Sequence, residues 1–170
     1  MIKNSMVKAL NDQINEEMFS SYLYLAMAAQ CEAMSLSGFA NWMRVQAQEE
    51  LFHAMKFFGY IAERGGRVEL SAIAQPQKEW PSLTTMFEAV YTHECHISEC
   101  INQLVDLAIQ ERDYATQNML QWFVQEQVEE ESSADAIVQK MKLVGDAQGA
   151  MFMMDRELGT RVFNPPAKEE

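Results

Sequence analysis

Apolar residues recur along this chain at alternating steps of three and four, the spacing that lines one face of a helix against a core. The first stripe reads Leu10, Ile14, Glu17, Ser21, Tyr24, Ala28, Cys31, and the second Phe39, Met43, Gln46, Glu50, His53, Phe57, Tyr60. A third reads Phe87, Tyr91, Glu94, Ile97, Ile101, Leu104, and a fourth Leu120, Phe123, Gln127, Glu130, Ala134, Ile137, Met141. Ala, Leu, Met, Gln and Glu fill the positions between, and all are good helix formers. The few glycines and prolines gather at the breaks. One helix is expected from Ser5 to about Ala33, and a second after Ser35-Leu36-Ser37-Gly38, ending before Gly65-Gly66. Each spans roughly 40 Å at 1.5 Å per residue. Residues 67 to about 82, with Pro76 and Pro81, form a long connection. A third helix begins near Leu83 and pauses at Glu111-Arg112-Asp113, a fourth runs to Val144 and stops at Gly145, and a short fifth covers Gln148 to Leu158. Two short turns flanking one long crossover give two antiparallel hairpins whose second and third helices run parallel. The expected fold is all-α, a four-helix bundle with one long connection. Residues 1–160 form its single domain and residues 161–170 a flexible C-terminal tail.

Each stripe is interrupted near its middle by Glu, His or Gln. In an antiparallel hairpin, residues at one level are equidistant from the turn. The positions of Glu17 and Glu50 average to 33.5, beside the first turn; those of Glu94 and Gln127 average to 110.5, and of Glu94 and Glu130 to 112, at the second. The polar groups therefore face one another inside the bundle. Burying a lone carboxylate costs several kcal/mol, and carboxylates sharing a layer also repel. Glu17, Glu50, Glu94 and Glu130 carry the charge that two divalent cations would neutralise. Glu50 and His53, at i and i+3, project from one helix face. Oxygen-rich ligation with one imidazole suits iron or manganese better than structural zinc. A di-metal carboxylate centre is the inferred site.

Composition narrows the partners. The 170 residues carry 13 Lys+Arg against 25 Asp+Glu, a net charge of −12, which disfavours nucleic acid and anionic membranes and favours cations. The longest uncharged stretch, Met18 to Cys31, has 14 residues, too few to cross a bilayer. The N-terminus lacks the pattern of a secretory signal, and the three cysteines, Cys31, Cys95 and Cys100, include no Cys-x-x-Cys pair. A cytoplasmic protein with reduced thiols is expected. His93-Glu94-Cys95-His96 is one residue short of a zinc-protease motif, since Ile97 stands where the second His belongs. A haem-attachment motif and a phosphate-binding loop are both missing.

Tyr24 lies on the same face as Glu17, where its phenol could bond a ligand or supply an electron; Trp122, beside Phe123, is a second candidate donor. Glu49, Glu126 and Glu129 flank the seam positions and, with Glu130, could hold a third cation.

The pattern resembles the bacterial non-haem ferritins over about residues 1 to 160. The resemblance is carried by Glu17, Tyr24, the Ala47-Gln48-Glu49-Glu50-Leu51-Phe52-His53 segment, Glu94 and the run Leu120-Gln121-Trp122-Phe123-Val124-Gln125-Glu126-Gln127-Val128-Glu129-Glu130-Glu131. Ferritin-like di-iron proteins are themselves the reference instance of a bundle with one long crossover. The resemblance implies a ferroxidase centre in which Glu17, Glu50, His53 and Glu94 hold the irons, Glu50 bridging, with Gln127 and Glu130 completing the second site. It implies a third iron site at Glu49, Glu126, Glu129 and Glu130, and a homo-oligomeric cage of 24 subunits whose fourfold axes the fifth helix lines. Fe(II) would be oxidised by O2 or H2O2 and stored as a ferric mineral. Bacterioferritins place a haem-ligating Met after the second-helix Glu; Leu51 stands there, so haem is not expected. Unlike symmetric di-iron proteins with Glu-x-x-His on two helices, the fourth helix here has Gln127-x-x-Glu130. That asymmetry should hold one iron more weakly, as suits a centre that passes iron on. A di-iron peroxidase or oxygenase on the same bundle, without storage, is the alternative, and a purely structural bundle with partly protonated carboxylates is a third.

Overall fold

The computed structural model describes residues 2–145 and 147–165. Its helices are α1 (Asn4–Ala33), α2 (Ser37–Glu63), α3 (Leu83–Glu111), α4 (Tyr114–Val144) and the short α5 (Gln148–Leu158), and no strand occurs among the described residues. α1 packs along α2 and α3 along α4; α1 also lies against α3, and α5 against α2 and α4. This is the four-helix bundle with one long connection and a short fifth helix.

The ends follow from local chemistry. Ser82 caps α3 by accepting from the Thr85 amide, and the Thr85 side chain returns the bond to the Ser82 backbone. Asp113 caps α4 through the Thr116 amide at 3.2 Å and also binds Arg64, the residue that ends α2, at 3.1 Å, tying α4's start to the end of α2. α2 has no side-chain cap of its own at Leu36. Asp155 of α5 supplies one instead, its Oδ1 accepting from the amides of Gly38 at 2.8 Å and Phe39 at 3.0 Å. A carboxylate at a helix N-terminus satisfies free N–H groups and meets the positive end of the helix dipole.

The long crossover is strapped to α1 rather than loose. Asn11 donates to the Arg67 carbonyl at 3.0 Å and accepts from the Glu69 amide at 2.9 Å, while Gln30 makes the same paired contact with Trp80, 2.8 Å each way. These side chains satisfy backbone groups of a segment that has no regular structure of its own.

The core is two apolar clusters. One gathers Tyr24, Met27, Phe39, Met43, Phe87, Ile137 and Met141, and the other Met6, Leu10, Ile14, Phe57, Ile101, Leu120 and Phe123. Phe57 and Phe123 stack with ring centroids 4.0 Å apart. The third stripe departs from expectation at one position: Val90 is buried, and Tyr91 is 37% exposed. Both fit the three-four spacing, and the apolar side chain takes the interior while the phenol keeps its hydroxyl in water. In α1, Ser20 is buried and Ser21 half-buried, its Oγ donating to the Ala47 carbonyl at 2.7 Å where α1 and α2 approach.

The tail expected over residues 161–170 is held at its start, because Asn41 donates to the Arg161 carbonyl at 2.9 Å and the Arg161 side chain reaches back into the bundle. Residues 166–170 lie outside the described residues.

A Cβ on Gly38 would sit 1.6 Å from the Asp155 carbonyl oxygen. Gly38→Ala is therefore expected to push α5 off α2 at a cost of about 1–3 kcal/mol. Hydrogen exchange checks this: amides over 148–158 should exchange faster, with those at the centre of α1 to α4 unchanged.

Candidate metal centre

The clusters are separated by a layer in which Glu17, Gln46, Glu50, His53, Glu94, Gln127 and Glu130 are all buried. Every seam position expected to carry a ligand thus turns inward at a compatible height, on the face that its stripe shares with the buried apolar residues. Around α1 and α2, Glu17 Oε2 lies 3.9 Å and Glu50 Oε2 3.4 Å from His53 Nδ1. These distances are in ion-pair range, yet neither Glu17 Oε2 nor His53 Nδ1 has a hydrogen-bond partner. Two orphaned buried donor atoms facing a carboxylate are what a cation fits. The other oxygen of each carboxylate is held: Gln13 donates to Glu17 Oε1 at 2.9 Å, and Gln46 donates to Glu50 Oε1 and Glu130 Oε2, both at 2.8 Å. One oxygen is fixed while another stays open, the arrangement in which outer groups orient ligands.

Across the layer, the Tyr24 hydroxyl donates to Glu94 Oε1, and Gln127 Nε2 lies 3.3 Å from Glu94 Oε2 and 3.2 Å from its carbonyl. Tyr24 thereby orients Glu94. Gln127 as placed offers its amide nitrogen to Glu94, leaving the amide oxygen as the atom it could turn toward a cation. Trp122 packs edge-on to His53 at 5.4 Å and lies under Lys56 Nζ at 4.2 Å.

The second acidic set also comes together. Glu49, Glu126, Glu129 and Glu130 line one cavity of about 140 Å3 with His53 and Trp122, and His53, Glu126 and Glu130 place donor atoms within 4.8 Å of one another. Glu129 is exposed and Glu49 and Glu126 half-buried, so this set opens outward from the buried layer. The sequence reading missed Gln46 as a clamp and Arg161 as a neighbour. Arg161 donates to Gln46 Oε1 at 2.8 Å and to Glu49, and its guanidinium stacks 4.6 Å above Trp42. Gln46 interrupts its stripe as the ligands do and was a legible signal, whereas nothing local in the C-terminal segment marks Arg161.

Comparison with known proteins decides the family. The ferritin-like domain family model matches residues 7–144. The bacterial non-heme ferritin of Bacteroides fragilis is 45% identical over 161 residues, 95% of this chain and 100% of that protein. The chain belongs to the ferritin family. The bacterial non-heme ferritin of Staphylococcus aureus is 38% identical over 96% of this chain and 99% of its own length. Among solved structures, an Archaeoglobus fulgidus ferritin engineered to a closed form superposes with a TM-score of 0.96 at 52% identity, covering 96% of this chain and 100% of that one. The open-pore ferritin of the same archaeon gives 0.94 at 52% identity, covering 95% and 100%. Iron storage is the role that membership of the ferritin family carries.

Inside this ferritin bundle the layer has an unusual charge balance. Burial, reinforced by the Glu50 charge, pushes the Glu17 carboxyl up to about 8, and burial and Glu50 do the same to Glu130, also to about 8. Glu94 is raised by burial and by Glu50 and Glu130. For His53, burial opposes the charged form, but Glu50, followed by Glu17 and Glu130, outweighs it and brings the imidazole up to about 10. Glu50 resists burial because His53 holds its carboxyl below the usual range. At neutral pH this favours a His53–Glu50 ion pair flanked by protonated Glu17 and Glu130, whose protons a divalent cation would have to displace.

The sign of the pH dependence follows. Glu17 and Glu130 rise from 4.5 to about 8 on folding, so the folded chain holds protons there that the unfolded chain has lost. Their stabilising contribution is complete below about 4.5 and disappears as pH rises through about 8. His53, raised from 6.5 to about 10, continues the trend. The melting temperature of metal-free protein is expected to fall between pH 5 and 9, and less steeply in a Glu17→Gln, Glu130→Gln variant. A flat profile in the parent would refute this charge assignment.

Proposed function

We propose that the buried layer is a ferroxidase centre that oxidises Fe(II) on its way into storage. The observation that carries this reading is the pair of unpartnered buried atoms, Glu17 Oε2 and His53 Nδ1, converging on the Glu50 carboxylate. Fe(II) is the substrate. Glu17, Glu50, His53 and Glu94 are its ligands in the first instance, with Glu50 placed to bridge a pair of irons and Gln127 and Glu130 completing the second position. Tyr24 acts through Glu94 as a positioning group.

Each pair of Fe(II) ions gives two electrons to O2, which takes up two protons and leaves as H2O2; a further Fe(II) pair reduces H2O2, again with two protons, to water. The carboxylates favour the more highly charged Fe(III) product, and one imidazole with one neutral amide among them keeps the second position weak enough to release it. Glu49, Glu126, Glu129 and Glu130 then form a third iron site on the route outward. Arg161 already neutralises Glu49 there, so a third cation must displace the guanidinium. Assembly is proposed as a homo-oligomeric cage of 24 subunits holding the ferric mineral, with the net charge of −12 per chain drawing cations inward. A cytoplasmic location accords with three free cysteines.

The reading is tested by anaerobic Fe(II) titration of the purified apoprotein followed by O2, with absorbance and particle mass recorded together. Rapid oxidation with iron retained in a large particle supports it. Oxidation without retention would move the protein to the di-iron peroxidase or oxygenase class. Glu130→Ala is expected to slow iron turnover by roughly tenfold or more while leaving assembly intact; an unchanged rate counts against that ligand. Arg161→Gln should tighten a third metal ion per chain, measured by calorimetric titration with redox-inert Mn(II) or Tb(III). No change in that weakest step would show that Arg161 and the cation do not compete.

A further inference from the structure

Glu16 precedes the proposed iron ligand Glu17, and the turn of roughly 100° per residue in a helix carries it out of the core. There it meets His96 and Cys100, one turn apart on α3. His96 Nε2 lies 3.3 Å from Glu16 Oε2 and 3.6 Å from Cys100 Sγ, and all three donor atoms lie within 4.8 Å of one another. We propose that Glu16, His96 and Cys100 form a separate surface site for a borderline divalent cation of the Zn(II) type, bridging α1 and α3.

Three observations converge on a cation. The first is metric. With Zn–O and Zn–N of about 2.0 Å and Zn–S of about 2.3 Å, the edges of a coordination tetrahedron come to about 3.3 Å for O to N and about 3.5 Å for N to S. The His96 contacts lie close to both edges, and the third pair, Glu16 with Cys100, is within 4.8 Å. The second is the bonding at one atom. A single ring nitrogen faces both a carboxylate oxygen and a thiol sulfur; it can donate to the first or accept from the second, and as a neutral tautomer cannot do both. A cation satisfies all three lone pairs at once. The third is access: the His96 and Glu16 side chains are 53% and 39% exposed, and Glu16 and Cys100 line a surface cavity of about 330 Å3. That leaves the fourth position open to water.

The donor set also sets the selectivity. One carboxylate, one thiolate and one neutral imidazole balance a divalent charge. Thiolate with imidazole favours Zn(II), Co(II) or Cu over Mg(II), Ca(II) or Mn(II), which prefer oxygen. The buried layer has the opposite preference, with carboxylates dominant and no thiol. The two sites therefore sort metals by ligand softness within a few residues of each other, and a Zn(II) ion at the surface need not enter the iron layer.

The test uses Co(II) as the probe, added to the assembled apoprotein. Co(II) in the carboxylate layer gives no sulfur signal, whereas Co(II) on Cys100 gives a near-ultraviolet thiolate-to-cobalt charge-transfer band. The expected result is a band that saturates at one centre per chain, is bleached by equimolar Zn(II), disappears in Cys100→Ser and needs at least roughly tenfold more cobalt in His96→Ala. Iron oxidation in Cys100→Ser should match the parent, which also shows that the variant folds and assembles. Absence of the band in the parent, its persistence in Cys100→Ser, or an unchanged cobalt requirement in His96→Ala overturns the proposal.

Discussion

Four carboxylates and an imidazole are buried in one layer between two apolar clusters, and the rest of the bundle is arranged around keeping their charge balanced. A bundle of this length could be stabilised more simply by apolar seams throughout. The layer forgoes burial of several large side chains and places Glu17, Glu50, Glu94 and Glu130 where each ionised form is costly. The fold tolerates this because the layer can be balanced in two ways: by protons shared over His53 and the carboxyls, or by divalent cations. Both give near-neutral interiors, and under the proposed function uptake would be an exchange of one for the other.

That exchange demands rigidity from everything adjoining it. Gln13 and Gln46 fix carboxylate oxygens from the same helix, one turn away, and Tyr24 fixes Glu94 from across the bundle. Stacked Phe57 and Phe123 sit immediately beyond the imidazole on one side. At the bundle ends, Asp113 with Arg64 and Asp155 with the amides of Gly38 and Phe39 tie neighbouring helices through charged contacts to backbone or guanidinium groups. The crossover, bound to Asn11 and Gln30, packs along α1 without needing a helix of its own. The side chains of the layer are thus held by long helices tied to one another at their ends.

Much of this was legible in the sequence because helical periodicity is a strong signal over long segments. The four long helices and the fifth fall where the stripes and breaks put them, and the polar interruptions share the level that their distances from the turns require. Periodicity does not choose between adjacent positions that both satisfy it, which is why Val90 rather than Tyr91 faces the core. Long-range polar contacts were less visible. Asp155 capping a helix more than a hundred residues earlier, and Arg161 reaching Glu49, depend on where α5 docks, and no local pattern encodes that. Gln46 was visible as an interruption, but its role as a clamp shared by Glu50 and Glu130 needed the facing helix. The family resemblance assigned Gln127 and Glu130 to a second iron position, an assignment that spacing did not make, and both are buried in the layer with Glu17, Glu50, His53 and Glu94.

Arg161 shows why the asymmetry of the layer matters. On the α1 and α2 side, the counter-charge to Glu50 is His53, an imidazole that can give up its proton. On the outward side, the counter-charge to Glu49 is a guanidinium, which cannot be deprotonated and can only move. Under the proposed function, a cation entering the inner position would be met by releasable protons; one at the outer position would meet a fixed positive charge on a short segment after α5, stacked on Trp42 and bonded to the same Gln46 that clamps Glu50 and Glu130. Displacing Arg161 would free the Gln46 amide oxygen and loosen the clamp on both inner carboxylates. The inner and outer acidic sets therefore share one glutamine: the Gln46 amide nitrogen holds Glu50 and Glu130, and its oxygen holds the Arg161 that pairs with Glu49.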